Sequence, residues 1–471
     1  MTVRAKQLKL GNVHWVHCVG IGGIGVSALA RLLAASRVYV TGSNLGPSAT
    51  VDYVKRLGIP VSVGPHRAAN LPREADLVVY SNDVPASNPE LVAARKRRVR
   101  VMSYPEALPL LFAGKRLIGV SGTHGKTTTT GMLGSVLVQA EWDPTIVVGG
   151  MLPTLRGNAR LGAGRDFVLE ADEYKRSFLN YPCDVAVITN VEADHLNYYK
   201  DLDDVRSAFR EFAALVPRKG LVVACGDDTG TRLVTHDLHC GVLWYGLDKR
   251  NELVADHLKL DGPHTTFRVS YHGKPHGSFK LLVPGEHNVY NALAVIGVAA
   301  HLGVPLKHVQ AALASFPGAS RRFEIVGEVR GITVVDDYAH HPTELRATLQ
   351  AARSRFGKRR IVVIFQPHFY GRLRDFFGEF VEALQLADLV IIPPVFAVAG
   401  RENDAAIREK FNSETLAAAV AKKGAHADAT TSLDAALTAA LGHARRGDVL
   451  MTIGAGQVTE LAPKLVKGLR S

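Results

Sequence analysis

The sequence predicts an α/β protein assembled from several mostly parallel sheets, and three observations carry that expectation. Short apolar segments of strand length alternate with helix-length segments along nearly the whole chain, as β–α–β crossovers require. Two strand-to-helix junctions are glycine-rich, Gly20-Ile-Gly-Gly-Ile-Gly25 and Gly122-Thr-His-Gly-Lys-Thr127. At 471 residues the chain exceeds what one hydrophobic core supports, so two or three domains are expected.

Taken in order, a first Rossmann-like domain is expected over 1–113. It opens with an apolar strand at 13–19, turns through Gly20–Gly25 into an apolar helix at 26–33, and continues with strands at 37–41 and 75–80. A central ATPase-like α/β domain over 114–320 begins with strand 116–120, the second glycine turn and a helix. Strands are expected there at 166–170, 184–189 and 220–224, followed by a β-rich excursion at 241–283, an apolar helix at 287–302 and a Pro-Gly linker at 316–320. A C-terminal Rossmann-like domain over 321–471 carries strands at 331–335, 360–365, 387–392 and 447–453, which predict a third doubly wound sheet.

Composition narrows the function classes. With 47% hydrophobic and 21% charged residues the chain reads as an ordinary soluble enzyme. It has no apolar run long enough to span a bilayer and no apolar leader at its start, so a cytoplasmic location without membrane insertion is expected. Cys18, Cys183, Cys225 and Cys240 are scattered and read as reduced, mostly buried thiols. The net charge of +12 is spread out, its one tight cluster being Arg95 to Arg100. Without aromatic interleaving this points away from nucleic acid and toward a small substrate bearing phosphates or carboxylates.

The chemistry concentrates at strand ends. Gly122, Thr123, His124, Gly125, Lys126, Thr127 and Thr128 form a shortened phosphate loop, since a full P-loop needs one more glycine where Val120 stands. In it, backbone N–H groups and a helix N-terminus face a nucleoside triphosphate, Lys126 reaches the β- and γ-phosphates, and the Thr127 hydroxyl can ligate magnesium. Gly20, Gly22, Gly23 and Gly25 match a dinucleotide turn, but the segment Val40 to Asn44 lacks the acid a nicotinamide ribose needs. The turn is therefore expected to hold a different diphosphate, or else to serve strand–helix packing. Glu170-Ala-Asp-Glu173 and Asn190-Val-Glu-Ala-Asp-His195 end two central strands, and Glu170 and His195 are the favoured magnesium ligands. Asn288 either reads an adenine edge or caps a helix. Asp336-Asp-Tyr-Ala-His-His-Pro-Thr-Glu344 and Gln366-Pro-His-Phe-Tyr-Gly-Arg-Leu-Arg374 place acids, imidazoles and guanidinium groups at strand ends of the last domain, as a site for carboxylate or phosphate requires.

These motifs, in this order from Gly20 to Gly456, resemble the Mur ligases of peptidoglycan synthesis. The resemblance implies the three-domain Mur ligase architecture, with an N-terminal domain for a UDP-sugar, a central ATPase and a C-terminal domain that brings an amino acid. It implies a ligase that uses ATP and Mg2+ to join L-alanine to the lactyl carboxylate of UDP-N-acetylmuramate through an acyl phosphate, in cell-wall biogenesis and hence cell shape and division. Carried over by motif, Gly20 to Gly25 hold the UDP diphosphate and residues 122–128 the ATP, with Thr127, Glu170 and His195 on magnesium. Asn288, Arg322 and Asp336 contact the rest of the nucleotide. Tyr338 and His368 face the amino acid, and Lys126, His195, His340 and Arg372 are the catalytic set. Phe369 stands where the family often has a basic residue, and Asn44 where it usually has an acid. The resemblance also admits a murein-recycling ligase that adds a tripeptide to the same sugar nucleotide, and a nucleotide sensor without ligase activity is a third reading. A monomer or homodimer is expected.

Overall fold

The computed structural model describes residues 10–260, 262, 264–397 and 405–470. Three α/β sheets are present, and the chain divides into two compact units. The first comprises residues 1–192, 202–245 and 294–309, and the second 193–201, 246–293 and 310–471.

The first unit holds two sheets. One contains β1 (Trp15–Val19), β2 (Tyr39–Asn44), β3 (Val61–Val63), β4 (Leu77–Tyr80) and β5 (Arg100–Ser103) in the order β3-β2-β1-β4-β5, all parallel. This is the strand order of a doubly wound Rossmann sheet without its sixth strand. The other is built on β6 (Arg116–Ser121), β7 (Thr145–Leu152), β8 (Gly157–Arg160), β9 (Asp166–Glu170), β10 (Val185–Ile188), β11 (Leu221–Cys225) and β12 (Gly241–Gly246). Its strands run β12-β11-β10-β6-β9-β7-β8, with only β8 antiparallel to its neighbour. The Val-Ala-Val-Ile run of β10 is buried throughout, as expected of a parallel strand covered on both faces.

Buried polar contacts join the two sheets of this unit. Asn158 of β8 donates to the Ile24 carbonyl (2.7 Å) and to Ser27 Oγ (3.0 Å), and it accepts from Arg31 Nη1 (3.0 Å). All three partners lie on the helix Ile24–Ala35 that follows the first glycine turn. Asn158 is almost fully buried, so leaving its amide unpaired would be costly.

The second unit contains the antiparallel meander β13 (Leu253–Lys259), β14 (Thr265–Tyr271) and β15 (Lys274–Leu281). It also contains a six-stranded sheet of β16 (Glu324–Val329), β17 (Ile332–Asp337), β18 (Ile361–Phe365), β19 (Leu389–Ile392), β20 (His426–Ala429) and β21 (Val449–Ile453). The order is β16-β17-β21-β18-β19-β20, with β16 antiparallel and the rest parallel. Asp337 and Phe365 both pair with Ile453, so the carboxyl ends of three central strands finish level.

The expected strands are all present, with ends shifted by at most three residues. Six strands, β3, β5, β7, β8, β16 and β20, lie where none was expected. The expected linker is irregular, but Phe316 and Ala319 within it are buried. The four cysteines are unpaired thiols, three of them buried. Among the described residues, no helix is long and apolar enough to cross a membrane.

Candidate active site

In the first unit the phosphate turn leaves β6 and enters the helix Lys126–Gln139. Gly122 has φ +135° and Gly125 φ +83°, conformations that glycine adopts without cost. A side chain at Gly122 would run into the backbone nitrogens of Thr189 (2.9 Å) and Asn190 (3.1 Å). That close approach has a purpose, because the end of β10 clamps the turn. His124 N donates to Asn190 Oδ1 (2.8 Å), Thr123 N to the Asn190 carbonyl (3.0 Å), and Thr189 Oγ1 to the His124 carbonyl (2.6 Å). The turn is thus held in shape by a neighbouring strand. Thr128 is buried within the first turn of the helix.

Lys126 folds back over this turn. Its ammonium donates to the carbonyls of Gly122 (2.5 Å) and Thr123 (3.0 Å) and to Glu173 Oε1 (2.9 Å). Burial opposes its charge, but the carboxylates of Glu173, Asp172 and Glu170 outweigh burial and hold its pKa above the ordinary lysine value. Beside it, Thr127 Oγ1 donates to Glu170 Oε1 (3.0 Å), and Glu170 Oε2 accepts from Gly149 N (2.6 Å). A hydroxyl and a carboxylate within one hydrogen bond form a hard oxygen donor set of the kind magnesium takes beside a triphosphate.

The first glycine turn is secured from β2. Gly20 N and Ile21 N donate to the Ser43 carbonyl (2.9 and 3.1 Å), and Gly22 N donates to Asn44 Oδ1 (3.0 Å). Asn44, which stands where an acid was expected, is therefore spent on the turn itself. Gly23 N closes back on the Gly20 carbonyl (3.0 Å), and Gly25 lies against the ring of Tyr104. Beneath Ser43 sits Glu90, fully buried. It accepts from Ser43 Oγ (2.7 Å) and Asn70 Nδ2 (2.8 Å), and it pairs with His17 Nε2 (2.9 Å) and His66 Nδ1 (3.0 Å). Burial alone would raise its pKa, but these hydrogen bonds reverse that and bring it to about 2.

The second unit gathers the C-terminal residues. Arg321 and Arg322 place their guanidinium carbons 4.8 and 5.2 Å from the centre of the Tyr338 ring. Arg322 Nη1 lies 3.3 Å from Glu344 Oε1. Asp336 accepts from Thr452 Oγ1 (2.6 Å) and Thr459 Oγ1 (2.7 Å), with Arg321 Nε at 3.3 Å. The rings of Tyr338, His340 and His368 follow one another edge to face at 5.3 and 5.8 Å, and His368 stacks on Phe396. Burial outweighs the opposing Glu344 carboxylate and, with the Arg372 guanidinium, pushes the His340 pKa down to about 4, so this imidazole is neutral near pH 7. Arg372 Nη2 donates to Asp194 Oδ1 (2.7 Å), a pair in which both side chains are under one-tenth exposed. Burial works against the Asp194 charge, but His195, Arg372 and His340 hold its pKa well below the carboxylate range. His195 itself has φ +53° and donates its N–H to Asp194 Oδ1 (2.6 Å). Asp194, His195, Phe369 and Arg372 are among the residues lining a cavity of about 290 Å³.

Of the expected residues, the structure brings together Lys126, Thr127 and Glu170 in one unit, and His195, Tyr338, His340, His368 and Arg372 in the other. Asn288 is buried at the start of the helix Glu286–Leu302, where Nδ2 donates to the Pro284 carbonyl (2.7 Å) and Oδ1 accepts from Asn291 (3.1 Å). Those contacts fix the side chain within the first turn of the helix. Three residues were passed over in sequence: Glu173, Asp194 and Glu90. The first two sit inside motifs already singled out, each a further acid within three residues of an expected metal ligand. Glu90 carried no signal, because the histidines that mark it lie 73 and 24 positions away.

Comparison with known proteins places these features in a family. Residues 15–116 match the model described as "Mur ligase family, catalytic domain", 120–299 the "Mur ligase middle domain" and 321–456 the "Mur ligase, glutamate ligase domain". The UDP-N-acetylmuramate–L-alanine ligase of Trichlorobacter lovleyi is 41% identical over 98% of this chain and 100% of its own length. That of Myxococcus xanthus is 42% identical, over 97% and 95%. The crystal structure of the Thermotoga maritima UDP-N-acetylmuramate–alanine ligase superposes with a TM-score of 0.83 at 33% identity, covering 97% of this chain and 99% of that one. A murein peptide ligase from Psychrobacter arcticus gives a TM-score of 0.70 at 25% identity, over 97% and 98%.

Proposed function

The chain belongs to the Mur ligase family and has its three-domain α/β architecture, and from that premise we propose that it is an ATP-dependent ligase joining L-alanine to the lactyl carboxylate of UDP-N-acetylmuramate. The observation that carries the reading is the phosphate turn, with Lys126 folded over it and Thr127 hydrogen-bonded to Glu170. Near-full-length relatives at about 40% identity bear the name of this activity, which favours it over the murein-recycling alternative. The product is a precursor of peptidoglycan, and the reaction belongs to the cytoplasm.

The domain boundaries we assign are 1–113 for the UDP-sugar, 114–320 for ATP and 321–471 for the amino acid. Gly20, Gly22, Gly23 and Gly25 take the diphosphate of the sugar nucleotide. Residues 122–128, with Asn288, Arg322 and Asp336, take ATP. Thr127, Glu170 and His195 hold Mg2+, which when bound neutralises charge on the phosphates. Tyr338 and His368 face the amino acid.

The lactyl carboxylate attacks the γ-phosphorus of ATP, forming a C–O–P linkage while ADP leaves. The amine of alanine then attacks the acyl carbon, phosphate departs, and the amide remains. Both anions must meet, so a positive charge aimed at the transferring phosphoryl group is needed, and Lys126 supplies it. Arg372 offers a planar donor pair to the acyl phosphate. His340, neutral at working pH, can accept a hydrogen bond at its free ring nitrogen without adding charge. An acyl phosphate must be kept from water, and the cavity lined by His195 and Arg372 is a partly sheltered place to hold it.

Phosphate release measured colorimetrically tests the assignment. Release requiring ATP, UDP-N-acetylmuramate and L-alanine together is expected. Release with a tripeptide and none with L-alanine would overturn it.

A further inference from the structure

After β9 the chain makes a costly detour. Lys175 and Arg176 both hold left-handed backbone, at φ 53°, ψ 29° and φ 55°, ψ 28°. Neither is a glycine or an asparagine, and two such residues in succession persist only where the surroundings fix them. Here they are fixed on each side. Tyr174 N donates to Asp172 Oδ1 (3.0 Å), Arg176 N to the Glu173 carbonyl (2.9 Å) and Phe178 N to the Asp172 carbonyl (3.0 Å). Arg176 is forked between Glu211 (2.6 Å) and Asp204 (2.7 Å), and Phe178 stacks on Phe212 in the core.

The turn aims two charges in different directions. Glu173 faces Lys126 of the phosphate turn. Lys175, two residues on, lines a polar cavity of about 400 Å³ with Tyr80, Asn82, Val84, Ser103 and Ser177. This cavity lies at the carboxyl ends of β4 and β5, the edge on which open α/β sheets bind ligands. It adjoins the first glycine turn, since a side chain on Gly20 would meet Val84 at 3.3 Å. Lys175 is the one cation among the residues lining it. Its ammonium donates to the Asn82 carbonyl (2.8 Å), and the nearest carboxylate, exposed Asp83, stands off at 4.0 Å. The lining acid, Glu106, is committed to the N–H and hydroxyl of Ser103, both at 2.7 Å.

A strained backbone that delivers a lysine to a polar cavity beside a diphosphate turn is stability given up for binding. We propose that Lys175 contacts an anionic group of the sugar nucleotide, its diphosphate or its lactyl carboxylate. The proposal deepens the functional reading above and rests on it.

The test compares Lys175→Asn with Lys175→Arg in the full chain. Asparagine suits left-handed backbone and removes the charge, whereas arginine keeps the charge. Calorimetric titration with UDP-N-acetylmuramate, UDP-N-acetylglucosamine (which lacks the lactyl carboxylate), UDP and ADP is paired with thermal melting. Lys175→Asn is expected to weaken UDP-N-acetylmuramate about tenfold or more, leave ADP unchanged and melt no lower than wild type. Lys175→Arg should stay within about threefold of wild type. If UDP and UDP-N-acetylglucosamine weaken in parallel, the contact is to the diphosphate. If only UDP-N-acetylmuramate weakens, it is to the carboxylate. Wild-type affinity in Lys175→Asn overturns the proposal alone, whereas a wild-type chain that binds no UDP-N-acetylmuramate overturns the functional reading and the proposal with it.

Discussion

Replacing Lys126 by methionine should do two separable kinds of damage, and a double-mutant cycle with Glu173→Gln distinguishes them. Lys126 and Glu173 stand 2.9 Å apart, with the lysine side chain 14% and the glutamate 2% exposed. Removing the lysine leaves a carboxylate in the interior without its counter-charge, a loss of about 3 kcal/mol by analogy with other broken buried pairs. Water reaching the lysine end argues for the lower part of the usual range. Neutralising Glu173 in the same chain removes the stranded charge, so Lys126→Met/Glu173→Gln should recover at least half of that loss. Activity should not recover, because the positive charge on the transferring phosphoryl group is still missing, and a fall of at least about 10³-fold is expected in both variants. Urea unfolding gives the stability arm and phosphate release the catalytic arm. The reasoning fails if the double variant is no more stable than Lys126→Met alone. That result would mean the pair contributes no coupling energy.

Three further outcomes are expected. Gly122→Ala, which drives a methyl group toward the Thr189 backbone nitrogen at 2.9 Å, should abolish ADP binding in calorimetry while UDP still binds. Glu90 has a pKa lowered from 4.5 to about 2, so its contribution is complete above about pH 4.5 and is lost as pH falls toward 2. A shift of that size is worth about 3 kcal/mol at most. Glu90→Gln should therefore be less stable at pH 7 and show a flatter stability profile between pH 4.5 and 2, and a profile parallel to wild type would count against the charged network. Asp194→Asn removes the counter-charge of Arg372 at 2.7 Å and should lower kcat about tenfold with the ATP KM within about twofold, as read by steady-state kinetics.

Most of the fold was legible because parallel strands in a doubly wound sheet are buried on both faces and read as unbroken apolar runs. Val185 to Ile188 and Ile361 to Phe365 are of this kind. The strands that escaped notice break that rule. In β16, Glu324 and Glu328 interrupt an antiparallel edge strand, β20 is His-Ala-Asp-Ala, and β7 carries Gly149 and Gly150. The glycine turns were legible for a different reason, since their chemistry is backbone chemistry confined to a few consecutive residues. What stayed hidden was pairing at long range. Nothing in the sequence joins Asp194 to Arg372 across 178 positions, or His17 to Glu90 across 73.

The ion pairs of the candidate site follow one pattern, and it bears on how anions bind. Lys126 faces Glu173, Arg372 faces Asp194 and Arg322 faces Glu344. Each of these three cations already holds a carboxylate of the protein. A substrate anion arriving at any of them therefore exchanges one charge-assisted hydrogen bond for another instead of filling an empty site, and the net gain is small at each position. Because desolvation of each cation has largely been met on folding, the side chains are set in place before the substrate arrives, and little ordering remains to oppose binding. Charge developing on the phosphoryl group can then be met by groups already in position, which favours the transition state over tight ground-state binding. Neutralising the protein carboxylates one at a time should accordingly tighten ground-state anion binding without speeding turnover. A uniform fall in affinity across Glu173→Gln, Asp194→Asn and Glu344→Gln would mean that the acids orient the cations rather than compete for them.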